Sequence, residues 1–229
     1  MIALTEALPQ KEPTCAAEIR IYSLFKAYGN SNLACFWQQQ DDKGVTTALI
    51  SKMDGAVTLY ASDNADTDEI EQFISVVGAQ TVLSNTPLKL EGETVLYQFS
   101  YAPKIPAEIE TAQPDYKAVY GVMSTRFNMP TYDVWYPDMC HRVRHGTAQL
   151  ISDGNAALCG LLGGNSMLVV GLCSIPDCKG QGTATKLLKK IANSTLAKNY
   201  FVLAEEKLKQ YYVNQNFAPL GSHYTYGDV

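Results

Sequence analysis

Gly180 and Gly182 stand between an apolar run, residues 167–172, and a second run in which Leu187, Leu188, Ile191, Ala192 and Leu196 share one helical face. The pattern predicts a strand ending near Pro176, a compact glycine-rich loop, and a helix that opens at once behind it. First-turn amides of such a helix have no intrahelical acceptors, and glycine lets a ligand approach the backbone closely. Together these features make an anion site, suited to a phosphate or pyrophosphate.

Two common phosphate loops do not fit. A nucleoside-triphosphate loop needs G-x-x-x-x-G-K-[ST], a spacing absent here, and a dinucleotide fingerprint needs a third glycine where Thr185 stands. The run Lys179-Gly180-Gln181-Gly182-Thr183-Ala184 instead resembles the acetyl-CoA signature of the GNAT superfamily of N-acyltransferases, [QR]-x-x-G-x-[GA], with Lys179 in the Arg or Gln position and Pro176 upstream. Beyond a strand-like segment, residues 200–204, Tyr212-Val213-Asn214-Gln215-Asn216-Phe217 is similar to that superfamily's Y-x-x-x-G-F ending. Asn216 takes the glycine position, a mild replacement because Asn visits the left-handed conformation that ends helices.

The resemblance implies an α+β fold and acetyl-CoA as cosubstrate. It implies that an amine attacks the acetyl thioester directly, without a covalent enzyme intermediate. The amides of Gly180, Gln181, Gly182, Thr183 and Ala184 would hold the pyrophosphate with Lys179 nearby, and the backbone of Cys173, Ser174 and Ile175 would pair with the pantetheine arm where two strands splay apart. Tyr212 is the candidate general acid: a phenol with a pKa of about 10 stays protonated beside a thiol of about 8.5. Glu205 and Glu206 read as carboxylates opposing a helix dipole. The acceptor would be a primary amine of a small molecule or peptide. A different reading keeps the fold but not the chemistry, as a noncatalytic acyl-CoA-binding or interaction module.

Residues 131–146 contain His141 and His145, either of which could take a proton from an amine, and Arg142 and Arg144, which could hold a carboxylate or the cofactor's 3'-phosphate. As a strand the two His share one face; as a helix they fall at i and i+4, but Arg142 stands where a zinc protease needs Glu, so no metal is expected. Tyr132, Trp135 and Tyr136 would wall an acceptor pocket or close the core.

These elements sit in a chain of 229 residues with a net charge of -5, which argues against nonspecific nucleic-acid binding and suits a cationic amine. Pro103, Pro106 and Pro114 mark a linker, giving domains 1–108 and 109–229. Both halves follow one plan: apolar runs separated by Asp-Gly turns (Asp54-Gly55, Asp153-Gly154), then loop, helix and strand. Before the first-half helix, however, the loop carries Asp63, Asp66, Asp68 and Glu69, which would repel a pyrophosphate. The expected architecture is therefore a tandem GNAT-like protein of mixed, mostly antiparallel sheets flanked by helices, its first copy degenerate and its second binding acetyl-CoA. Six scattered cysteines suggest buried reduced thiols. No apolar stretch approaches about 18 residues, and residues 1–12 lack a basic region and a sustained apolar run, so a soluble cytoplasmic protein without membrane partners is expected; oligomeric state is left open.

Overall fold

The computed structural model describes the chain except residues 107, 109–112 and 228–229. The first half comprises β1 (Ile2–Leu4), α1 (Ala16–Tyr28), β2 (Ala34–Gln40), β3 (Thr46–Met53), β4 (Ala56–Ala61), α2 (Thr67–Val76), β5 (Thr81–Ser84) and β6 (Thr94–Tyr101). The second comprises α3 (Tyr116–Met123), α4 (Tyr132–Arg144), β7 (Ala148–Ser152), β8 (Ala156–Gly163), β9 (Ser166–Ser174), α5 (Thr183–Ala192), β10 (Asn199–Ala204), α6 (Lys209–Asn214) and β11 (Ala218–Gly227). The Asp-Gly hairpins form as expected, with Asp54 at φ 48° and Gly55 at 79°, the paired positive angles of a tight hairpin turn. Helix α5 stops at Ala192, short of Leu196, where the Asn193 amide donates to the Lys189 carbonyl.

The α+β class and the repeated, mostly antiparallel plan are as expected; the parallel pairs are β4 with β5 and β9 with β10. The strands nevertheless form one sheet rather than two, in the order β1-β2-β3-β4-β5-β11-β6-β10-β9-β8-β7. The halves are joined by exchange of their last strands. β6 leaves the first half to lie between β10 and β11, and β11 returns from the chain's end to pair with β5. The expected boundary between residues 108 and 109 falls in a segment of which residues 107 and 109–112 lie outside those described.

Alternation of side chains along the strands sorts the helices into two layers. Leu158, Met167, Tyr200 and Val202 pack under α5 and α6, and Ile50, Val57 and Leu59 under α2. On the other face, Ala157 and Cys159 meet α3 and α4, Phe36 and Leu49 meet α1, and Leu168 and Phe201 meet the start of α1. Helix α1 thus touches both halves. Gly163 permits this, since a Cβ there would lie 2.9 Å from the Ile19 carbonyl oxygen.

The first amides of α1, which have no acceptors within the helix, are met by the two exchanged strands. Ala16 N–H donates to Gln98 Oε1 of β6 (2.7 Å) and Ala17 N–H to His223 Nε2 of β11 (3.3 Å). His223 is buried, and burial pushes its pKa down to about 4. A protonated His223 would lose both its solvation and its acceptor lone pair. The folded value lies below the ordinary 6.5, so the stabilisation is complete above that value and is lost as pH falls through the folded one. Stability should therefore decline between about pH 6.5 and 4, by about 3 kcal/mol from this group. Denaturant melts of wild type and His223→Gln check this: the variant should have a flatter profile across that window, and parallel profiles would refute the assignment.

Candidate functional site

β9 and β10 pair in parallel only from Asn199 and Ser166 to Val202 and Val169. Beyond that point β9 carries an extra residue. Cys159 and Gly160 of β8 oppose Gly171 and Val169, which leaves Val170 unpaired and 42 % exposed. Such a bulge bends its strand and reverses the side-chain alternation after it. Cys173 therefore turns to the α3–α4 layer, while Leu172 packs on the α5 side. β10 continues along β6 through Leu203 and Ala204, so the backbone of residues 170–174 has no partner on the β10 side among the described residues. The sequence hint for the bulge is Gly171, where a Cβ would meet the Met123 side chain at 3.0 Å.

At the tip of β9, Cys173, Ser174 and Ile175 lead into a short 3-10 turn, Pro176–Cys178, and then the loop. Gly180 (φ 81°) and Gly182 (φ 78°) both have left-handed backbone, and the space where their Cβ atoms would stand is open. Gly182 precedes α5 without any side-chain cap, and Lys186 N–H is the first amide to bond back to it. The amides of Thr183, Ala184 and Thr185 keep no backbone partner among the described residues. Gln181 N–H is already used by the Cys178 carbonyl, so of the expected loop amides it is the one that points inward. Lys179 is exposed beside the loop. The fit to an extended amide-bearing arm ending in a pyrophosphate is thus local and physical: open backbone along β9, then a glycine cradle, then free helix amides.

The equivalent place in the first half is closed. β3 and β4 pair without a bulge, and Asn85 beyond β5 bridges the gap, accepting from Ala61 N–H (2.7 Å) and donating to Ala61 O (2.8 Å). The α2 N-terminus is occupied by its own carboxylate, Asp66 accepting from Glu69 N–H. Asp66 and Glu69 have capping-box spacing, but the box is half formed: the Glu69 carboxylate turns instead to Ile2 N–H and Gln39 Nε2, and Gln39 Oε1 takes the Asp66 amide. Asn85 was not legible as a plug, since Ser84-Asn85-Thr86-Pro87 reads as an ordinary turn.

Asn216 has φ 64°, the left-handed conformation that the Y-x-x-x-G-F register requires of it. Tyr212 is 7 % exposed and packs between Phe99 (5.8 Å, stacked) and Phe217 (5.8 Å, edge-on). Burial and the neighbouring Tyr211 push its phenol up to about 12. Tyr211 is the partner whose hydroxyl reaches α5, 3.2 Å from Thr185 Oγ1. Glu205 and Glu206, at the end of β10, pair with Lys207 and Lys209. Cys173 has its thiol toward the Val122 carbonyl and its pKa raised by burial, the opposite of an activated nucleophile. All six cysteines are free, but only Cys140, Cys159 and Cys173 are buried; Cys15 and Cys178 are half-buried and Cys35 is exposed.

Residues 132–144 form a helix, so the His pair falls at i and i+4 with ring centroids 4.2 Å apart. His141 stacks on Tyr28 of α1 (4.6 Å), its Nε2 2.8 Å from the Ala27 carbonyl oxygen. Both His line a cavity between α1 and α4 whose walls include no residue of the loop, the β9 tip or α6. They are not brought together with Tyr212. Arg142 pairs with Asp138 (2.8 Å) instead of facing the loop. Tyr132, Trp135 and Tyr136 join Tyr116 and Tyr120 in an aromatic layer, and Trp135 and Tyr132 share a cluster with Cys173 and Ile175. No group of three or more His, Cys, Asp or Glu that could hold a metal ion occurs among the described residues, and no helix among them is long and apolar enough to cross a membrane.

No family model matches the sequence, and no curated protein does. Solved structures do match the fold. A GCN5-related N-acetyltransferase from Sphaerobacter thermophilus superposes with a TM-score of 0.55 at 12 % identity, over 96 % of each chain. A tandem GNAT protein from the clavulanic acid biosynthesis pathway gives 0.51 at 12 %, over 96 % of this chain and 90 % of that one. A GNAT-family acetyltransferase from Novosphingobium aromaticivorans gives 0.54 at 14 %, over 79 % and 89 %. At these identities the likeness is one of fold: this chain has the fold of the GNAT superfamily in its tandem form.

Proposed function

We propose that the chain is an acetyl-CoA-dependent N-acetyltransferase of the cytoplasm, with its cosubstrate in the second half and a primary amine of a small molecule or peptide as acceptor. One observation carries the reading. The same place in the fold occurs twice, open with free helix amides at β9–α5, and closed by Asn85 and Asp66 at β4–α2. Acetyl-CoA supplies an activated acyl group and a thiolate leaving group. The chain's residues have the tasks of orientation and charge stabilisation. The backbone of residues 170–174 aligns the arm as an added strand, and the amides of Thr183, Ala184 and Thr185 offset the pyrophosphate charge. Domains 1–108 and 109–229 then divide the labour as scaffold and catalytic unit.

Tyr212 is the proposed donor to the departing sulfur. With its phenol held near 12, outright proton transfer to a thiolate of about 8.5 would run uphill, so a hydrogen bond that strengthens as the C–S bond breaks is the better description than full general-acid transfer. Tyr212→Phe should lower turnover by roughly 100-fold with little change in acetyl-CoA affinity, and Tyr211→Phe should stay near wild type. Single-turnover kinetics under saturating acetyl-CoA read this. Near wild-type rates for Tyr212→Phe would return it to a packing role.

The reaction is tested by thiol release from acetyl-CoA across a panel of polyamines, aminoglycosides, amino acids and peptide N-termini. Turnover with any amine supports the enzyme. Saturable acetyl-CoA binding with no turnover across the panel would replace it with a noncatalytic acyl-CoA-binding module.

A further inference from the structure

Two adjoining cavities open where α1, the β3–β4 hairpin and α4 meet, with walls from both halves of the chain. The inner one, about 250 Å³, is lined by Arg20, Ser51, Thr58 and Arg142; the outer, about 930 Å³, by Phe25, Tyr28, Pro137 and the His pair. Met53, Asp54 and Asp138 line both. Neither shares a residue with the β9 tip, the glycine loop or α6.

The charges in the inner cavity are unequally matched. Arg142 is satisfied: its Nε donates to Asp138 Oδ1 (2.8 Å), an oxygen that also accepts from the Tyr28 hydroxyl, and its guanidinium lies 5.3 Å from the Tyr28 ring centre. Arg20, half-buried, makes no ion pair or hydrogen bond among the described residues, and burial, followed by the Arg142 charge, lowers its pKa. Ser51 and Thr58 line the same cavity and make no side-chain hydrogen bond among the described residues, and their hydroxyls are not among the buried polar atoms left without a partner, so both open onto the cavity. A guanidinium without a protein partner and two hydroxyls without side-chain hydrogen bonds thus face one open cavity, available to a ligand.

We infer that these cavities bind a small organic monocarboxylate, its carboxylate on Arg20 with the Ser51 and Thr58 hydroxyls and its apolar body against Met53, Tyr28 and Phe25. A guanidinium fork matches a planar carboxylate. In the inner cavity Arg20 is the one cation without an ion pair among the described residues, and the Asp54 and Asp138 carboxylates in the same walls disfavour a dianion such as phosphate; Lys26 stands in the wall of the outer chamber. The outer chamber, with its aromatic rings, suits an alkyl or aryl body.

The test uses the full chain, with 3-phenylpropionate, hexanoate, 3-phenylpropionamide and inorganic phosphate as probes, followed by calorimetry and by the arginine Nε–H resonances. The acids should bind saturably at one site per chain and shift the Arg20 signal, and the neutral amide should bind at least about tenfold more weakly. Arg20→Met should abolish acid binding while leaving Tm unchanged or raised, because it removes an unmatched charge. Ser51→Ala and Thr58→Val, which barely alter volume, should weaken binding severalfold in a folded chain. The proposal is overturned if no acid binds saturably at millimolar concentration, if amide or phosphate binds as well as the acids, or if Arg20→Met binds normally. A sharply lowered Tm for Arg20→Met with acid binding intact in the hydroxyl variants would equally overturn it, marking Arg20 as structural. Acetyl-CoA titrations on the same variants should be unchanged, which keeps this outcome separate from that of the transferase reading.

Discussion

Neither piece should fold when the chain is separated at its linker into residues 1–108 and 113–229. The first piece would lack β11, the partner that completes β5, and would carry β6 with no neighbour at all. The second would lack β6, which lies between β10 and β11, so β11 would be cut off from the β10-β9-β8-β7 strands and β10 would be left as an open edge. The buried Tyr212 would lose Phe99 from beneath its ring. Helix α1 would lose the His223 acceptor for Ala17, and Leu168 and Phe201 would be uncovered without α1. Open central strand edges with apolar faces lead to aggregation rather than to a stable half. The expected result is loss of cooperative melting in each piece alone and its recovery on coexpression. A soluble 113–229 piece with the acetyl-CoA affinity of the whole chain would show that the exchange is dispensable.

Gly182→Asp should reduce acetyl-CoA affinity by about 100-fold or more, equivalent to about 3 kcal/mol, by setting a carboxylate against the pyrophosphate. The substitution copies what α2 already does, where Asp66 accepts from Glu69 N–H and fills its own N-terminus. The backbones differ, however: Asp66 has φ −80° and Gly182 has φ 78°, so the new side chain also bears a left-handed conformation worth about 1–2 kcal/mol of strain. Space is available for it, since no atom lies within 4 Å of the Cβ position, and the chain should remain folded. Calorimetry should find one site per chain in wild type and none in the variant. Two sites, or undiminished affinity, would remove the pyrophosphate from α5.

Much of this was legible because it is local. The Asp-Gly turns, the strands on either side of them and the amphipathic α5 follow from alternation and helical periodicity, and the glycine loop from its own residue types. Helix α1 carries no such stripe. Ala16, Ala17, Ile19, Ile21, Leu24 and Ala27 are all buried because the helix packs on strands of both halves, so its apolar residues surround it. β6 and β11 owe their places to partners far away in sequence, and β11, with Pro219, Gly221 and His223, does not read as a central strand. The spacing of His141 and His145 correctly brings their rings together, yet which cleft they line is decided by where α4 lies against α1, a tertiary fact that no local pattern encodes.

The exchange of strands also sets the order in which the sheet can close. β5 is made well before its neighbour, Tyr224–Gly227 of β11. While the intervening residues are synthesised β5 is therefore a bare sheet edge, and β6 waits for both β10 and β11. The nascent chain must be held back from pairing with itself wrongly, or with a neighbour on the same message, until β11 arrives.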